Sequence, residues 1–353
     1  MQNIDKSILT APIFFEGNRV GRVYTGGALF ADFFGDNSVD GFEPEEWVAS
    51  SVTALNKISK GPKEGVSKIK GSDIYFDELL STHKADLLGD RNEFGVLTKV
   101  LDSAIRLPVQ AHPNKEYSKK YLNSEYGKAE SWIVLATRPD AAIYFGFNKE
   151  YTKDELKQAV EKSKTDKSVM EKLLNRIPVK TGDVFFVPAK MAHAIGTGCL
   201  ILEIQEPTDF TIQPEYYCGD YLLDANEMYL GLKPDIALDV FDFSYFGQKS
   251  VDMGRVVPKV VTNENGVLVE SLITTDHTDC FGVERYTLNS AEFTLTHKPA
   301  VYVVTGGEGS VICDGKEVAI KQSDYFFLPF AAKDTKIKSS GNLTVVACLP
   351  PQK

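Results

Sequence analysis

TGDVFFVPAKMAHAIGTGCLILEI, residues 181–204, has a counterpart near the C-terminus, QSDYFFLPFAAKDTKIKSSGNLTVVACL, residues 322–349. Each stretch has a small residue, an aspartate, a run of mainly aromatic or apolar residues and a proline. A polar turn with glycine and an apolar run follow. Asp183 matches Asp324, and Pro188 matches Pro329. Short apolar runs bounded by Gly, Pro and Asp are typical of β-strands, so the chain contains two copies of one β-unit.

The residues before the second copy extend this unit. AVYVVTGGEGSVICDGKEVAI, residues 300–320, reads as a strand, a glycine turn, a strand and a hairpin at DGKE. The spacing predicts a double-stranded β-helix, the cupin barrel, occurring twice in a mainly β protein. We therefore predict an N-terminal domain over 1–233, and a linker helix followed by a C-terminal domain over 234–353.

Helical patterns are fewer. Residues 148–177 have the clearest helical spacing between strand-like neighbours, which predicts a small helical insertion near 148–178 in the first β domain. Mixed i, i+3 and i+4 spacing of apolar residues also predicts helix over EPEEWVASSVTALNKI (43–58) and DIYFDELLSTHKADLL (73–88).

The two copies differ at one position that bears on chemistry. His193 follows Pro188 by five residues, whereas Asp334 follows Pro329 by five. If His193 binds a metal ion, the second barrel has lost that ligand, so one barrel carries the chemistry and the other supports it. The sequence contexts of the other histidines outside VQAHP favour structural or solvated roles; these are His83, His277 and His297.

The segment VQAHP, residues 109–113, supplies further candidate ligands. Gln110 and His112 share a face in an extended chain, and Glu130 enters the next strand-like run, AESWIVLAT. From the five residues 109–113 alone, a wet sheet face is favoured over a metal site as the explanation of the pair. Together with His193, however, the set offers two nitrogen and two oxygen donors, which suit Zn²⁺. Spacing alone does not show that the four converge.

Composition narrows the class of protein. The net charge is −10 and no Lys/Arg-rich cluster occurs, which argues against a nucleic-acid partner. The five cysteines are scattered without a C-x-x-C pair, which favours a reducing compartment. The N-terminal stretch lacks the apolar core of a signal peptide, and no run of 18 apolar residues suggests a membrane span. We therefore expect a cytoplasmic protein; its oligomeric state is not predicted.

Three stretches resemble the type I mannose-6-phosphate isomerases in order and spacing. They are KVLDSAIRLPVQAHPNK, GKAESW and GDVFFVPAKMAHAIGTGCLILEIQEPTDFT. The resemblance covers most of the chain. It implies a cupin fold and one zinc ion per chain, held by residues that match the set above, namely Gln110, His112, Glu130 and His193. It also implies a sugar-phosphate ligand and the reversible conversion of mannose 6-phosphate to fructose 6-phosphate.

This reaction requires a proton to leave C2 and return to C1 through an enediol, which a metal ion and a positioned carboxylate promote. Glu203, in LILEIQEP, is the candidate carboxylate, because strand alternation can turn it into the barrel; a solvent-facing strand glutamate is the alternative. Lys99 matches a lysine of the family pocket and is a candidate to polarise a sugar oxygen or bind phosphate. Lys115 is a second candidate for phosphate.

Three positions depart from the family pattern. Gln213 stands where the family has an arginine four residues after Asp209, Pro108 replaces a serine, and Thr25 replaces a tryptophan. We expect Gln213 to face the substrate, with another group such as Arg106 or Lys190 supplying the missing charge. The departures leave two alternatives open: a cupin isomerase for another sugar or sugar phosphate, and a non-catalytic sugar-phosphate-binding protein.

Overall fold

The structure is a computed structural model that describes residues 6–57 and 59–351. Within these residues the strands are β1 Ile13–Phe14, β2 Arg19–Val20, β3 Glu45–Val48, β4 Leu97–Ser103, β5 Glu130–Thr137, β6 Ala142–Phe147, β7 Leu174–Pro178, β8 Val184–Val187, β9 His193–Ile195, β10 Cys199–Gln205, β11 Tyr217–Cys218, β12 Tyr221–Leu222, β13 Arg255–Val256, β14 Lys259–Glu264, β15 Val267–Ile273, β16 Gly282–Asn289, β17 Glu292–Thr294, β18 Ala300–Cys313, β19 Lys316–Lys321, β20 Tyr325–Leu328, β21 Lys336–Lys338 and β22 Asn342–Leu349. The α-helices are α1 Ala28–Phe34, α2 Phe76–Thr82, α3 Lys84–Leu88, α4 Lys115–Tyr121, α5 Lys153–Lys162, α6 Ala225–Tyr229, α7 Pro234–Ala237 and α8 Gly247–Gly254. Short 3₁₀ helices cover Lys6–Thr10, Glu171–Leu173 and Leu238–Val240. The protein is therefore mainly β, as predicted.

Two large antiparallel sheets have the same internal order. One runs β13-β8-β5-β10-β4-β3-β2 and the other β1-β20-β18-β22-β16-β15-β14. The corresponding strands follow one another in the same chain order, except at one edge. There β1, from the N-terminus, pairs with β20, and β13, from beyond residue 250, pairs with β8. Each half of the chain thus completes the sheet of the other half. The division at 233/234, which both edge strands cross, stays a prediction.

A smaller strand group lies beside each large sheet. In the first half β6 pairs with β7 and β9, and in the second half the end of β18 pairs with β19 and β21. The turn between β18 and β19 is Asp314-Gly315, both at positive φ. In the first half the corresponding connection, between β6 and β7, is the longer segment 148–173. It contains α5, which begins with a capping box of Thr152 and Glu155. The last residues of the predicted insertion, 174–178, form β7 instead of helix.

The helix predicted over 43–58 is wrong. Within the described residues of this stretch, 43–57, no helix forms. Glu45–Val48 forms β3, which is buried throughout and pairs with β2 and β4. A short run buried on both faces has no alternating pattern, so spacing alone does not separate it from a helix. The helical pattern of 73–88 is confirmed by α2 and α3.

The buried apolar residues form three large cores. One core lies between the two large sheets and includes Phe76 and Phe327, whose ring centroids are 5.0 Å apart. A second core lies within the first half around Trp132 and Phe145, and a third lies within the second half around Tyr302. In the part of the chain that the structure describes, no helix has the length and apolar character to cross a membrane.

Candidate active site

Three predicted ligands meet inside the first half of the molecule. His112 lies in the extended segment after β4, Glu130 begins β5 and His193 begins β9. His112 Nε2 is 3.0 Å from Glu130 Oε1 and 3.1 Å from His193 Nε2. All three residues are at most 2% exposed. Their ligand atoms lie within 4.8 Å of one another, so the group could hold one metal ion.

The histidine tautomers follow from the outer ring nitrogens. His112 Nδ1 lies 2.9 Å from the carbonyl oxygen of Phe210, and His193 Nδ1 lies 2.9 Å from that of Met191. A carbonyl only accepts, so each Nδ1 carries the proton and each Nε2 presents a lone pair. The two lone pairs therefore point into one small space beside the Glu130 carboxylate. Backbone carbonyls that orient metal-binding histidines in this way are common in metal sites.

The titration behaviour of the group agrees with this assignment. Burial lowers the pKa of His112, and burial together with the nearby His112 lowers the pKa of His193 to about 3, so both rings are neutral. Burial alone would raise the pKa of Glu130, but the positive charge of Lys128, 2.8 Å away, lowers it. Neutral imidazoles and an ionised carboxylate are the forms that bind a metal ion.

Gln110, the fourth predicted ligand, is joined to His193 through the backbone. The amide of each residue donates to the carbonyl of the other, both at 2.9 Å. The Gln110 side chain, 8% exposed, lines the cavity that opens above the three ligands. The structure therefore places Gln110 next to the group.

Lys128 is a site residue that the sequence reasoning missed. Its ammonium lies 2.8 Å from Glu130 Oε1 and 3.1 Å from His112 Nε2, and its side chain is 5% exposed. Glu130 Oε1 has no hydrogen bond of acceptable geometry despite these neighbours. Lys128 precedes Glu130 by two residues, so alternation in the quoted motif GKAESW placed both on one face. That signal was available in the sequence.

A cavity of about 430 Å³ opens above the group. Four cationic and five acidic side chains line it; they are Arg22, Lys57, Lys99, Lys128, Glu45, Glu130, Glu203, Asp209 and Glu227. The deeper part of the wall is ionic and buried, whereas Lys57 has 48% of its side chain exposed. The volume falls in the range of pockets that hold small ligands.

Glu203, the predicted proton-transfer residue, points into this cavity from β10. Its Oε1 accepts a hydrogen bond of 3.1 Å from the indole Nε1 of Trp132, which also donates to Glu130 Oε2 at 3.2 Å. Trp132 therefore connects the carboxylate of the metal group to Glu203. Burial, with the charge of Glu130, raises the pKa of Glu203 to about 7. The solvent-facing alternative for Glu203 is excluded, because this residue is 4% exposed.

Lys99 lies opposite Glu203 on the neighbouring strand β4, with which β10 pairs in register. Its ammonium is 3.5 Å from Glu203 Oε2, 3.7 Å from Glu45 Oε2 and 3.8 Å from Asp209 Oδ1. Burial would lower the pKa of Lys99, but these three carboxylates raise it. Lys99 is therefore a buried, charged lysine in the cavity wall.

The other sequence candidates lie in different places. Gln213 lines the cavity and donates from Nε2 to the carbonyl of Glu227 at 3.1 Å. Arg106 is bound to Glu215 and Glu171, and it does not line the cavity. Lys115, at the start of α4, also lies outside the lining; its ammonium is 3.6 Å from Asp279 in the second half.

The fold and the site define a mainly β protein with a buried candidate metal centre below a ligand-sized ionic cavity. Residues 45–129 match the model of the phosphomannose isomerase type I catalytic domain. The chain is 31% identical over 337 residues to mannose-6-phosphate isomerase ManA of Bacillus subtilis (strain 168), covering 93% of this chain and 96% of that protein. It is 27% identical to the mannose-6-phosphate isomerase of Streptococcus mutans, over 96% of this chain and 98% of that protein. The chain therefore belongs to the type I phosphomannose isomerase family.

Solved structures share the fold. The crystal structure of the mannose 6-phosphate isomerase from Bacillus subtilis has a TM-score of 0.75 and 24% identity, with coverage of 96% of this chain and 99% of that chain. A mannose 6-phosphate isomerase bound with zinc and yttrium has a TM-score of 0.71 and 14% identity, with coverage of 97% and 100%.

Proposed function

We propose that this protein is a zinc-dependent aldose–ketose isomerase that interconverts mannose 6-phosphate and fructose 6-phosphate. One observation carries the proposal: a buried donor set of two histidines and a carboxylate adjoins, through Glu130, a cavity whose wall also contains Glu203 and Lys99. The names of the relatives support the substrate.

The donor set fits a single zinc ion. His112 and His193 offer nitrogen, Glu130 offers carboxylate oxygen, and Gln110 would add its amide oxygen, a combination that suits Zn²⁺. The two converging imidazole lone pairs beside the Glu130 carboxylate are the feature that a cation would bind. The zinc-bound structural relative supports the choice of metal. When bound, the ion supplies a Lewis acid that stabilises negative charge developing on the sugar oxygens.

In this proposal Glu203 moves the proton. Its carboxylate takes the proton from C2 of the aldose, leaving an enediolate, and returns it to C1, while the hydroxyl proton on O2 passes to O1, so that the ketose forms. A pKa near 7 suits a group that must both accept and donate a proton at neutral pH. The Trp132 N–H holds the carboxylate in place. Lys99 and Lys128, as buried cations on either side, would bind sugar oxygens and offset their charge.

We assign Lys99 to the reacting end of the sugar, because its side chain is 3% exposed and deep in the wall. The 6-phosphate would then extend towards the mouth, where Gln213 and the more exposed Lys57 lie. The position of Lys115 outside the cavity lining gives no support to its predicted phosphate role.

We also propose that the two halves are two cupin barrels, the N-terminal one carrying the metal. The matching order of the two seven-strand paths and of the two smaller strand groups supports this. The five cysteines are free and buried, which supports the cytoplasmic location expected from the sequence.

Gln213 favours one competing function, isomerisation of a different sugar or sugar phosphate. A coupled assay over a panel of hexose 6-phosphates and free hexoses separates the possibilities. We expect turnover to be highest with mannose 6-phosphate and to be lost on chelation and restored by Zn²⁺. Faster turnover of another sugar would show that this sugar is the substrate. Binding without turnover of any sugar in the panel would show that the protein is a sugar-phosphate-binding protein and not an isomerase.

A further inference from the structure

Arg22 presents a guanidinium group in the cavity wall that no sequence motif singled out. It lies just after β2, and its side chain is 12% exposed. Its Nε is 3.0 Å from Glu45 Oε1, and its terminal NH2 nitrogen donates to both oxygens of Asp209 at 3.0 and 3.1 Å. The other terminal nitrogen donates to Asn56 Oδ1 at 2.8 Å. Burial would lower the pKa of Arg22, but Asp209 and Glu45 raise it above its usual value.

The two carboxylates held by Arg22 are also two of the three that surround Lys99. Glu45 and Asp209 approach the Lys99 ammonium to 3.7 and 3.8 Å, and Glu203 approaches it to 3.5 Å from the other side. Two cations and three carboxylates therefore form one buried network, and Lys99 is nearly equidistant from all three carboxylates. Its position depends on the balance of charge around it, since buried charges are weakly screened.

We infer that Arg22 is a positioning residue, which keeps Lys99 beside Glu203 by neutralising Glu45 and Asp209. With Arg22 present, the Glu45–Asp209 side carries a net charge of −1, the same as Glu203 alone. Without Arg22 that side carries −2 and draws the ammonium away from Glu203. This inference rests on the proposed function, in which Lys99 and Glu203 act on the same substrate.

A merely structural role for Arg22 makes a different prediction. Arg22 ties β3 to the loop over the cavity, since Asp209 also accepts a hydrogen bond of 2.8 Å from the Leu55 amide. Arg19 provides a matched control, because it comes from the same short segment and binds the buried Glu46 at 2.9 Å. Arg19 does not line the cavity. A structural role alone makes Arg22→Gln and Arg19→Gln equivalent in turnover per folded, zinc-loaded enzyme.

The experiment compares kcat, KM, zinc content and Tm of the zinc-loaded wild type with those of Arg22→Gln, Arg22→Lys and Arg19→Gln. We expect Arg22→Gln to lower kcat by about 10²-fold with little change in KM or zinc content, since misplacing a catalytic group by about 1 Å has that cost. Arg19→Gln should lower Tm without lowering kcat. Arg22→Lys keeps the positive charge and should recover most of the lost kcat.

A second change tests the charge balance directly. Arg22→Gln combined with Asp209→Asn removes one cation and one carboxylate, so it should have a higher kcat than Arg22→Gln alone. Equal kcat for Arg22→Gln and Arg19→Gln, or a kcat for Arg22→Lys as low as that of Arg22→Gln, would overturn the role of Arg22 and leave the proposed function standing. A wild-type enzyme that isomerises no sugar in the panel would overturn both.

Discussion

The two large sheets allow a position-by-position comparison of a polar interior with an apolar one. Backbone register relates them: Val134 N donates to Asp183 O, and Val304 N donates to Asp324 O. The turns also match, because Asp183 Oδ2 accepts from Lys180 N and Asp324 Oδ2 accepts from Lys321 N. The same backbone scaffold is therefore built twice.

The side chains at equivalent positions differ. Glu203 pairs with Trp132 and Lys99 across the first sheet, and at the same places in the second sheet Ala347 pairs with Tyr302 and Glu284. By the same register Ala300 stands where the first half has Glu130. Ala300, Tyr302 and Ala347 are fully buried in an apolar core, where Tyr302 stacks on Phe326 with centroids 5.2 Å apart.

The shared backbone scaffold therefore does not by itself create the site. The same strand order holds an ionic cavity in one half and a packed aromatic core in the other. The difference lies in a few inward-facing side chains, which form ion pairs in the first half and fill the space with apolar atoms in the second. The predictions below each change a single side chain, and those on His193 and Glu203 use a residue of the second half as their control.

The largest effect is expected from His193→Ala. Removal of one imidazole from a four-donor set should release the metal and reduce isomerase activity to the assay background. The matched change in the second half is His297→Ala, since His297 Nε2 is 3.1 Å from Glu284 Oε2 in a His–Glu pair that is more exposed than the contacts of Glu130 with His112 and His193. Metal analysis and turnover should show loss only for His193→Ala. Retention of one zinc per chain by that variant would remove His193 from the ligand set.

Glu203→Gln should lower kcat by about 10²–10⁴-fold, because the amide keeps the hydrogen bond to Trp132 but cannot take up the proton. Zinc content should remain at the wild-type level. Glu284→Gln, in the second half, serves as the control and should leave kcat unchanged. Normal turnover of the Glu203 variant would assign the proton step to another group, with Lys99, 3.5 Å from Glu203 Oε2, as the next candidate.

Ala347→Glu places a carboxylate at the position in the second half that corresponds to Glu203, but within an apolar core. The new carboxylate would lie among apolar and aromatic side chains without the lysine that Glu203 faces, and we expect a loss of about 3–5 kcal/mol in the free energy of unfolding. Ala319→Glu, on the exposed strand β19, should change stability little. Denaturant unfolding of the two variants measures the difference. A fully stable Ala347→Glu variant would show that the second interior tolerates charge, contrary to the comparison.

The smallest effect is expected from Gln213→Arg. This change restores the family residue at the cavity wall, but the guanidinium of Arg22 already lies in that wall beside Asp209. A second cation there should leave turnover on mannose 6-phosphate unchanged or lower it. Steady-state kinetics on the variant provide the measurement. A gain of tenfold or more would mean that the missing arginine limits the natural enzyme and that Arg22 does not compensate for it.

Much of the fold was predictable from sequence, because repeated local patterns indicate its strands and helices. The echo between 181–204 and 322–349 indicated matched units, and α2 and α3 follow from helical spacing. The helix over 43–58 was wrongly predicted: its start forms a strand buried on both faces, which has no alternating pattern along the sequence. The exchange of the edge strands β1 and β13 was also beyond local reasoning, since two-residue strands leave almost no pattern.

For the site, the sequence by itself determined the identities of the candidate ligands and of Glu203. Their residue types and spacing are distinctive, and only one copy of the repeat has the histidine. Tertiary structure decided which groups share the buried charge network. It brought Arg22 to Asp209, 187 residues away in the chain, and it separated Lys115 and Arg106 from the cavity. The physical reason is that electrostatic interactions depend on distance in space and on burial, and neither is encoded in the spacing of residues along the chain.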